Sequence, residues 1–204
     1  SGALTGEGLA DQISPRGALS TLVDAPGDAP VSWIVDPDLL GTAETMTDGY
    51  EVTGADGSTS EGRGAADAVA WGEAFAIATD GDQPSILPYA NPDLQAVARA
   101  DAAAASETAR QALARTREWL AERPTVGRAG LAWPAGGIAD EVTLSALASA
   151  GVRTVVLSAD SVRPLTGSPV ARVAAGEREL DALLLDAGLE AAVGDALTAP
   201  DPAA

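Results

Sequence analysis

The chain has 204 residues, 46% of them hydrophobic, which is enough for one domain with a sizeable core. It has no histidine, cysteine or lysine, which excludes Ser-His-Asp catalysis, thiolate chemistry and zinc sites built on histidine or cysteine. Its 30 acidic and 12 basic residues give a net charge of -18, which repels phosphates and anionic lipid headgroups, so nucleic acid is not expected as a partner.

The chain is expected to be a piece of a longer protein. Residues 1–16 are predicted to form a partly disordered N-terminal segment, and residues 198–204 a disordered tail rich in proline and alanine. A single domain is predicted between them, over residues 17–197. There is no run of 18 apolar residues, so this fragment is not expected to span a membrane.

Two strand-to-helix junctions in the first half of the chain share one pattern. The predicted strand 31–35 is followed by Asp36-Pro37-Asp38-Leu39, and the predicted strand 85–90 by Asn91-Pro92-Asp93-Leu94. Asp36 and Asn91 suit N-cap positions, and the following prolines suit the first helical position. Between the junctions, the glycine- and serine-rich residues 53–64 are predicted to form a flexible loop.

The second half of the chain alternates strands with helices. Its predicted elements are a long helix with a buried stripe at Ala109, Leu113 and Thr116, a strand at 129–133, a helix at 141–150 capped by Asp140, a strand at 153–157, a hairpin of 170–174 with 180–185 across Gly176, and a helix at 189–197. This alternation predicts an α/β fold with a parallel sheet. The short strands favour a partial or distorted (β/α) barrel.

Function in such a barrel collects at the C-terminal ends of the strands. The residues placed there are Asp36, Asp38, Tyr89, Asn91, Trp133, Asp160 and Asp186. The aromatic rings of Tyr89 and Trp133 can stack on a sugar, although core packing is the alternative for Trp133. Helix capping is the alternative for Asp36 and Asn91.

The strand-end carboxylates also allow a catalytic interpretation. Two carboxylates that face each other across a barrel mouth can act as acid and base on a glycosidic bond, and the pairs to test are Asp36 with Asp186 or with Asp160. An acidic cluster can also bind Ca²⁺ or Mg²⁺ through oxygen ligands. We nevertheless assign no metal site and no cofactor.

Several segments together resemble a known family. They are Trp33-Ile34-Val35-Asp36-Pro37-Asp38-Leu39-Leu40, Met46-Thr47-Asp48-Gly49-Tyr50, Leu87-Pro88-Tyr89-Ala90-Asn91-Pro92-Asp93-Leu94 and Leu131-Ala132-Trp133-Pro134. Over roughly Gly17 to Leu197 the chain resembles actinobacterial cell-envelope proteins encoded beside a MurJ-type lipid II flippase. More distantly it resembles the (β/α) barrel of polysaccharide deacetylases and related glycosidases.

The resemblance implies an extracytoplasmic setting in the cell envelope, as a soluble domain of a membrane-anchored protein. It also implies cell-wall glycan, or an envelope membrane protein such as the flippase, as a partner. Deacetylases hold their metal with one aspartate and two histidines. Asp36 stands where that aspartate stands, but Tyr89 and Asn91 occupy the region of a histidine-bearing loop, so deacetylase activity is not expected.

The resulting expectation is a non-catalytic domain, similar to carbohydrate-active enzymes, that binds glycan or scaffolds the flippase machinery. Its expected carbohydrate-binding residues are Asp36, Tyr89, Asn91 and Trp133. One alternative is a glycoside hydrolase that uses two of Asp36, Asp160 and Asp186. The other is a protein-interaction module that binds through its acidic surface or through residues 53–64.

Overall fold

The structure is a computed structural model that describes residues 3–27, 29–162, 168–186, 188 and 191–192. The elements up to residue 82 are β1 (Ala3–Leu4), α1 (Gly8–Ile13), α2 (Ala18–Asp24), β2 (Ile34–Val35), α3 (Pro37–Thr47), β3 (Glu51–Thr53), β4 (Thr59–Glu61) and α4 (Ala65–Ala78). The later elements are β5 (Ser85–Ile86), α5 (Leu94–Ala100), α6 (Ala102–Ala121), β6 (Arg128–Ala129), β7 (Leu131–Ala132), α7 (Glu141–Ala150), β8 (Thr154–Ser158), β9 (Val170–Ala175) and β10 (Arg178–Leu185).

The chain divides into two compact units. The first unit comprises Ser1–Trp33 and Asp38–Asp82, and the second comprises Ile34–Pro37 and Gln83–Ala204. Residues 3–16, predicted to be partly disordered, contribute β1 and α1 to the first unit. The boundaries predicted for a single domain at 17–197 stay a prediction, and the predicted tail at 198–204 lies outside the described residues.

The sheet of the first unit corrects one prediction. β3 pairs in parallel with β1 and antiparallel with β4. Residues 53–64 therefore contain the turn and the second strand of a β-hairpin and are not wholly a loop. The turn closes because Gly57 adopts a φ of 80° and the carboxylate of Asp56 accepts hydrogen bonds from the Ser58 backbone N–H and hydroxyl. The glycines and serines that suggested flexibility therefore serve a tight turn.

Tyr50 is the centre of a buried contact in the first unit, which we call the Tyr50 junction (Glu7, Tyr50, Gly62 and Gly64). The Tyr50 hydroxyl donates to the Glu7 carboxylate and accepts from the Gly64 N–H at 3.1 Å. The tyrosine is only 2% exposed. A Cβ at Gly62 would lie 2.2 Å from the Tyr50 ring, so only glycine fits beside it.

Parallel strands dominate the second unit. β2, β5 and β6 pair in that order, and β7, β8 and β10 do likewise, with β9 antiparallel at the end. β6 and β7 belong to one segment that is interrupted at Gly130. This glycine has a φ of 125°, a conformation that residues with a side chain rarely adopt. The segment 128–132 therefore joins the two groups of strands.

The core of the second unit lies between these strands and helices α5 to α7. Val155 and Leu157 of β8 face this core together with Leu113 of α6 and Leu147 of α7. Val156 points to the opposite face of the sheet, where it packs with Leu87 and Leu131. β8 is therefore buried on both faces, as predicted from its continuous, valine-rich apolar sequence.

The helix boundaries confirm some predicted caps and correct another. Asp140 accepts from the Thr143 N–H at 2.8 Å and Gly151 ends α7 at a φ of 100°, both as predicted. α5, however, begins at Leu94, because Asp93 and not Asn91 accepts from the Ala96 N–H. The predicted hairpin across Gly176 is present, whereas most of the predicted helix at 189–197 lies outside the described residues.

The α/β class with parallel strands is confirmed. Across the described residues the strand order is linear, from β2 at one end to β9 at the other, so no closed barrel forms there. Among the described helices, none is both long and apolar enough to cross a membrane.

Candidate functional site

The parallel strands of the second unit bring the predicted site residues to one edge of the sheet. β2, β5, β7, β8 and β10 all run in the same direction, so their carboxyl ends lie at the same edge. Four of the predicted site residues follow these strands, and we call them the strand-end cluster: Asp36, Tyr89, Asn91 and Trp133. Asp160 and Asp186 follow the last two of these strands.

Asp36 links the ends of the first two strands in this set. It directly follows β2, and its carboxylate accepts a hydrogen bond from the Ala90 N–H at 3.0 Å. Asp36 is half-buried, and Pro37 behind it begins α3 as predicted. The carboxylate therefore holds the loop after β5. This contact was not part of the helix-cap interpretation of Asp36.

The loop after β5 carries strained backbone. Ala90 and Asn91 adopt φ angles of 58° and 32°, a region that residues with a Cβ seldom occupy. Such strain persists only where surrounding contacts impose it, and it is concentrated at functional sites. Here the Asp36 carboxylate holds the Ala90 N–H, and the Asn91 N–H donates to the Pro88 carbonyl at 2.8 Å.

Asn91 extends this connection to the next strand. Its side-chain amide donates to the backbone carbonyl of Trp133 at 3.2 Å. Asn91 is exposed and is not the N-cap of α5, which corrects the capping interpretation. Asp36, Asn91 and Trp133 thus form one continuous set of contacts across the ends of β2, β5 and β7.

The indole of Trp133 rests partly on the core and is partly accessible. It packs against the cluster of Leu87, Leu131 and Val156 and remains half-buried. The following turn, Ala135–Gly137, presses against the end of β8, where a Cβ on Gly137 would lie 2.5 Å from the Ser158 nitrogen. The Pro-Ala-Gly-Gly sequence after Trp133 therefore lets the loop approach the neighbouring strand closely.

Tyr89 is held mainly by helix α6. Its N–H donates to the Ala112 carbonyl at 3.3 Å, and the Arg115 guanidinium lies 5.6 Å from the centre of its ring. Thr116, one turn on from Ala112, donates to the Leu87 carbonyl at 2.9 Å. Because a cation lies against the Tyr89 ring, that ring offers less free surface for stacking than Trp133 does.

The remaining predicted carboxylates lie at the other end of the edge. Asp160 and Asp186 are exposed and follow β8 and β10, which are neighbours in register with Ser158 opposite Leu185. Asp36 is four strands away from β10, which corresponds to about 19 Å along the sheet at a strand spacing of about 4.8 Å. The topology therefore places Asp160 and Asp186 after neighbouring strands and places Asp36 three or four strands away from them.

One small cavity lies near this edge, among residues that the structure describes. A space of about 10 Å³ lies behind the loops, lined by Asn91, Pro134, Thr143 and neighbouring residues, which is near the minimum for a single water. Next to it, the pKa of Asp140 is lowered, chiefly because its carboxylate accepts a hydrogen bond from the Thr143 backbone N–H at 2.8 Å. No group of three or more His, Cys, Asp or Glu side chains suited to a metal occurs within the described residues.

Two features of this site were missed from the sequence. No pattern predicts positive φ angles at Ala90 and Asn91, because alanine has no preference for that conformation. The contact of Arg115 with Tyr89 joins residues far apart in the chain. The capping role of Asp93 had a local signal, since Asp93 is followed directly by the apolar run from Leu94.

Comparisons with known proteins show a likeness in fold. No protein-family model matches the chain, and no curated protein matches it. Among solved structures, the chain is similar to the 4-α-glucanotransferase from Thermococcus litoralis, with a TM-score of 0.58 and 13% sequence identity. The match covers 98% of this chain but only 31% of that enzyme, so the chain spans about a third of its length.

Proposed function

We propose that the second unit binds a glycan at the carboxyl edge of its sheet without cleaving it. The observation that carries this proposal is Trp133, a half-buried aromatic residue that packs on the core at the strand ends. An indole presents a flat apolar face with a polar edge, which suits the alternating apolar and hydroxylated surfaces of a sugar ring.

The surroundings of Trp133 support a binding surface. Its carbonyl is held by the exposed amide of Asn91, and its ring rests on buried Leu131 and Val156. A ring that already packs on the core loses less conformational entropy when a ligand arrives than a fully exposed ring does. The polar groups of Asp36 and Asn91 lie in the same chain of contacts and can orient sugar hydroxyls.

The spacing of the carboxylates supports binding rather than hydrolysis. Glycosidases need their two carboxyl groups about 5 to 10 Å apart, whereas Asp36 is three or four strands from the other two, or about 14 to 19 Å along the sheet. Asp36 also holds the Ala90 N–H. This position and this contact disfavour both pairs predicted from the sequence, because each pair includes Asp36.

We further propose that the open parallel sheet is an incomplete barrel of the type found in glycosidases and deacetylases. Its support is the succession of parallel strands with helices between them, together with the fold likeness to a glucanotransferase. In barrels and open α/β sheets alike, ligands bind at the carboxyl ends of the strands.

The setting we propose is the outer face of the cell envelope, with cell-wall glycan as the ligand and a lipid II flippase as a neighbour in a larger assembly. The support for this setting is the family resemblance of the segments around Trp33, Tyr50, Tyr89 and Trp133. It can be tested by fractionating cells that express the native protein and probing the envelope fraction.

The binding proposal is tested by calorimetric titration of the chain with solubilised cell-wall glycans and with a linear α-glucan. We expect saturable binding that Trp133→Ala weakens at least tenfold. Trp119→Ala is the matched control, because Trp119 lies on α6 against Arg123 and outside the strand-end cluster. Binding that survives Trp133→Ala, or no heat up to millimolar glycan, contradicts the proposal.

A hydrolase is the second candidate, because Asp160 and Asp186 follow neighbouring strands. It predicts release of reducing ends from glycan, abolished by Asp160→Asn or by Asp186→Asn and retained in Asp36→Asn. Saturable glycan binding without any release of reducing ends over a day would support the binding proposal and would contradict the hydrolase proposal.

A further inference from the structure

A groove in the first unit lies between helix α4 and the region of helix α2. Two cavities of about 210 Å³ each occupy it. The first is lined by Ala70 and Ala74 of α4 and by Asp24 at the end of α2. The second is lined by Ala78 of α4 and by Val23 of α2. Both cavities belong entirely to the first unit, and neither involves the strand-end cluster.

The composition of α4 explains why this groove is open. Ala70, Ala74 and Ala78 recur at intervals of four residues and lie on one side of the helix. Each ends at its Cβ, so the side of α4 that faces the groove leaves space where larger side chains would fill it. The helix carries only two charged residues, yet Val69 is 44% and Ile77 is 77% exposed. An almost wholly apolar helix with exposed faces is typical of a surface that a partner covers.

Aromatic residues form the apolar walls of the groove. Trp71 lines the first cavity and Trp33 the second, and Phe75 connects them, stacked on Trp71 at 5.5 Å and edge-on to Trp33 at 5.9 Å. Trp71 is 5% exposed, and its indole N–H has no hydrogen-bond acceptor in the part of the chain that the structure describes. The same holds for the indole N–H of Trp33. The walls of the groove are therefore apolar, and the indole N–H groups of both tryptophans are buried.

The charged residues that line the groove are negative. Asp24 and Asp67 line the first cavity and Asp82 the second, and no basic residue is among the described lining residues of either cavity. A second copy of this chain, with its net charge of -18, is a poor occupant of such a groove. The charge favours a ligand that brings apolar groups together with positive ones.

We propose that this groove binds an amphipathic helix of a partner protein that carries two apolar anchors and flanking basic residues. The inference is independent of the proposed glycan site. Ala70 and Ala78, one in each cavity, are eight residues apart, or about 12 Å along α4 at about 1.5 Å per residue. Two side chains seven or eight residues apart on an incoming helix have the same separation and lie on one face, which is the helix-in-groove mode of recognition.

The test uses the whole chain and a synthetic helical probe. The probe is a peptide of alanine and arginine with leucines at two positions seven residues apart. The control peptide has the same composition, with its leucines on opposite faces. We expect the probe to bind at least tenfold more tightly than the control in calorimetric titrations. Equal binding of the two peptides, or none at millimolar concentration, overturns the proposal.

Two matched substitutions locate the binding. Ala70→Phe fills the first cavity from an exposed position and is expected to weaken the probe about tenfold. Ala76→Phe is the control, because Ala76 is exposed on the same helix, lines neither cavity and lies about 160° round the helix from Ala74. If both substitutions weaken binding equally, the groove is not the site.

A charge reversal provides a second test in case the Ala70→Phe variant does not fold. Asp24 is exposed, so Asp24→Arg should fold normally, reduce probe affinity about fivefold and flatten its dependence on salt. A small apolar dye that binds and is not displaced by the probe would indicate a small-molecule cavity and would contradict the proposal. Glycan titrations of the same variants should be unchanged.

Discussion

The Tyr50 junction of the first unit and the strand-end cluster of the second unit both use a carboxylate to hold a loop, but they do so differently. In the junction, Glu7 accepts from the Tyr50 hydroxyl and from the Arg63 N–H at 2.9 Å, and glycine occupies the crowded positions. In the cluster, Asp36 holds the N–H of Ala90, a non-glycine residue at a φ of 58°.

The difference distinguishes a region that serves packing from a region that is a candidate for ligand binding. The hydroxyl of Tyr50 has a donor and an acceptor inside the protein, and its ring is enclosed, so nothing in the junction is left to meet a ligand. The cluster instead has strained backbone at Ala90 and Asn91, and it leaves Asn91 exposed and Trp133 half-buried. A region whose backbone strain lowers stability, and which presents polar and aromatic groups to solvent, is the better candidate for a functional site.

The largest expected effect is that of Tyr50→Ala. It removes a 2% exposed ring and leaves the Gly64 N–H without its acceptor, so we expect a loss of about 3 to 5 kcal/mol in the free energy of unfolding. Tyr89→Ala should cost clearly less, because Tyr89 is half-buried. Urea unfolding followed by circular dichroism measures both. Equal losses would remove the distinction between the two regions.

Gly62→Ala tests the close packing of the junction. The added Cβ would lie 2.2 Å from the Tyr50 ring, so the ring or the backbone must move, at an expected cost of about 1 to 3 kcal/mol. Gly72→Ala is the control, because Gly72 lies within α4, where a Cβ meets nothing within 4 Å. It should stabilise slightly, since alanine favours helix. Thermal unfolding compares the two, and a neutral Gly62→Ala would show that the ring is not tightly enclosed.

Glu7→Gln tests the charge in the junction. The hydrogen bond from Tyr50, followed by the contacts with Arg63, lowers the pKa of Glu7, although burial opposes this shift. A lowered folded-state pKa stabilises the protein above the ordinary carboxyl value of about 4.3, and this stabilisation is lost as pH falls through the folded value. We expect Glu7→Gln to cost about 1 kcal/mol at pH 7 and progressively less below pH 4.

The measurement is the difference in unfolding free energy between wild type and Glu7→Gln across pH 2 to 8, so that the other carboxylates cancel. A difference that does not change with pH would show that Glu7 acts through packing alone. Burial, followed by Glu7, raises the pKa of Tyr50, so its hydrogen bond should persist above the ordinary tyrosine value of about 10.

Ala90→Gly has the smallest expected effect and probes the strain directly. Glycine adopts the φ of 58° without a Cβ penalty of about 1 to 2 kcal/mol, partly offset by its greater freedom when unfolded. We expect a net stabilisation below about 1 kcal/mol, with weaker glycan binding because the loop is less rigid. Chemical denaturation and calorimetry measure the two effects. Destabilisation would mean that Ala90 makes contacts worth more than the strain.

Local signals in the sequence predicted much of the fold. Asp140 and Gly151 marked the two ends of α7, and the valines of β8 indicated a strand covered on both faces. The buried stripe of α6 at Ala109, Leu113 and Thr116 follows from helical spacing. Residues 53–64 were misjudged because the same glycines suit a loop and a hairpin turn, and strand pairing decides between them.

The candidate site was predicted only as a set of residues. The strand-to-turn pattern brought Asp36, Asn91 and Trp133 to strand ends, and the structure connects them. The sequence pattern did not predict which carboxylates lie on neighbouring strands. Asp36 was paired with Asp160 or Asp186, but the order of strands in a sheet depends on long-range pairing that no short segment encodes.

By itself, the sequence determined the available chemistry and the local elements. Without histidine, cysteine or lysine, the side chains available for a site are carboxylates, amides, hydroxyls, aromatics and arginine, whatever the fold. Caps and turns were also determined locally, because the groups that make them lie within a few residues of each other. Only the tertiary structure decided that Asp36 holds Ala90, that Arg115 lies against Tyr89 and that small residues of α4 leave a groove. These depend on contacts between distant segments, whose free energy arises only when the whole unit is packed.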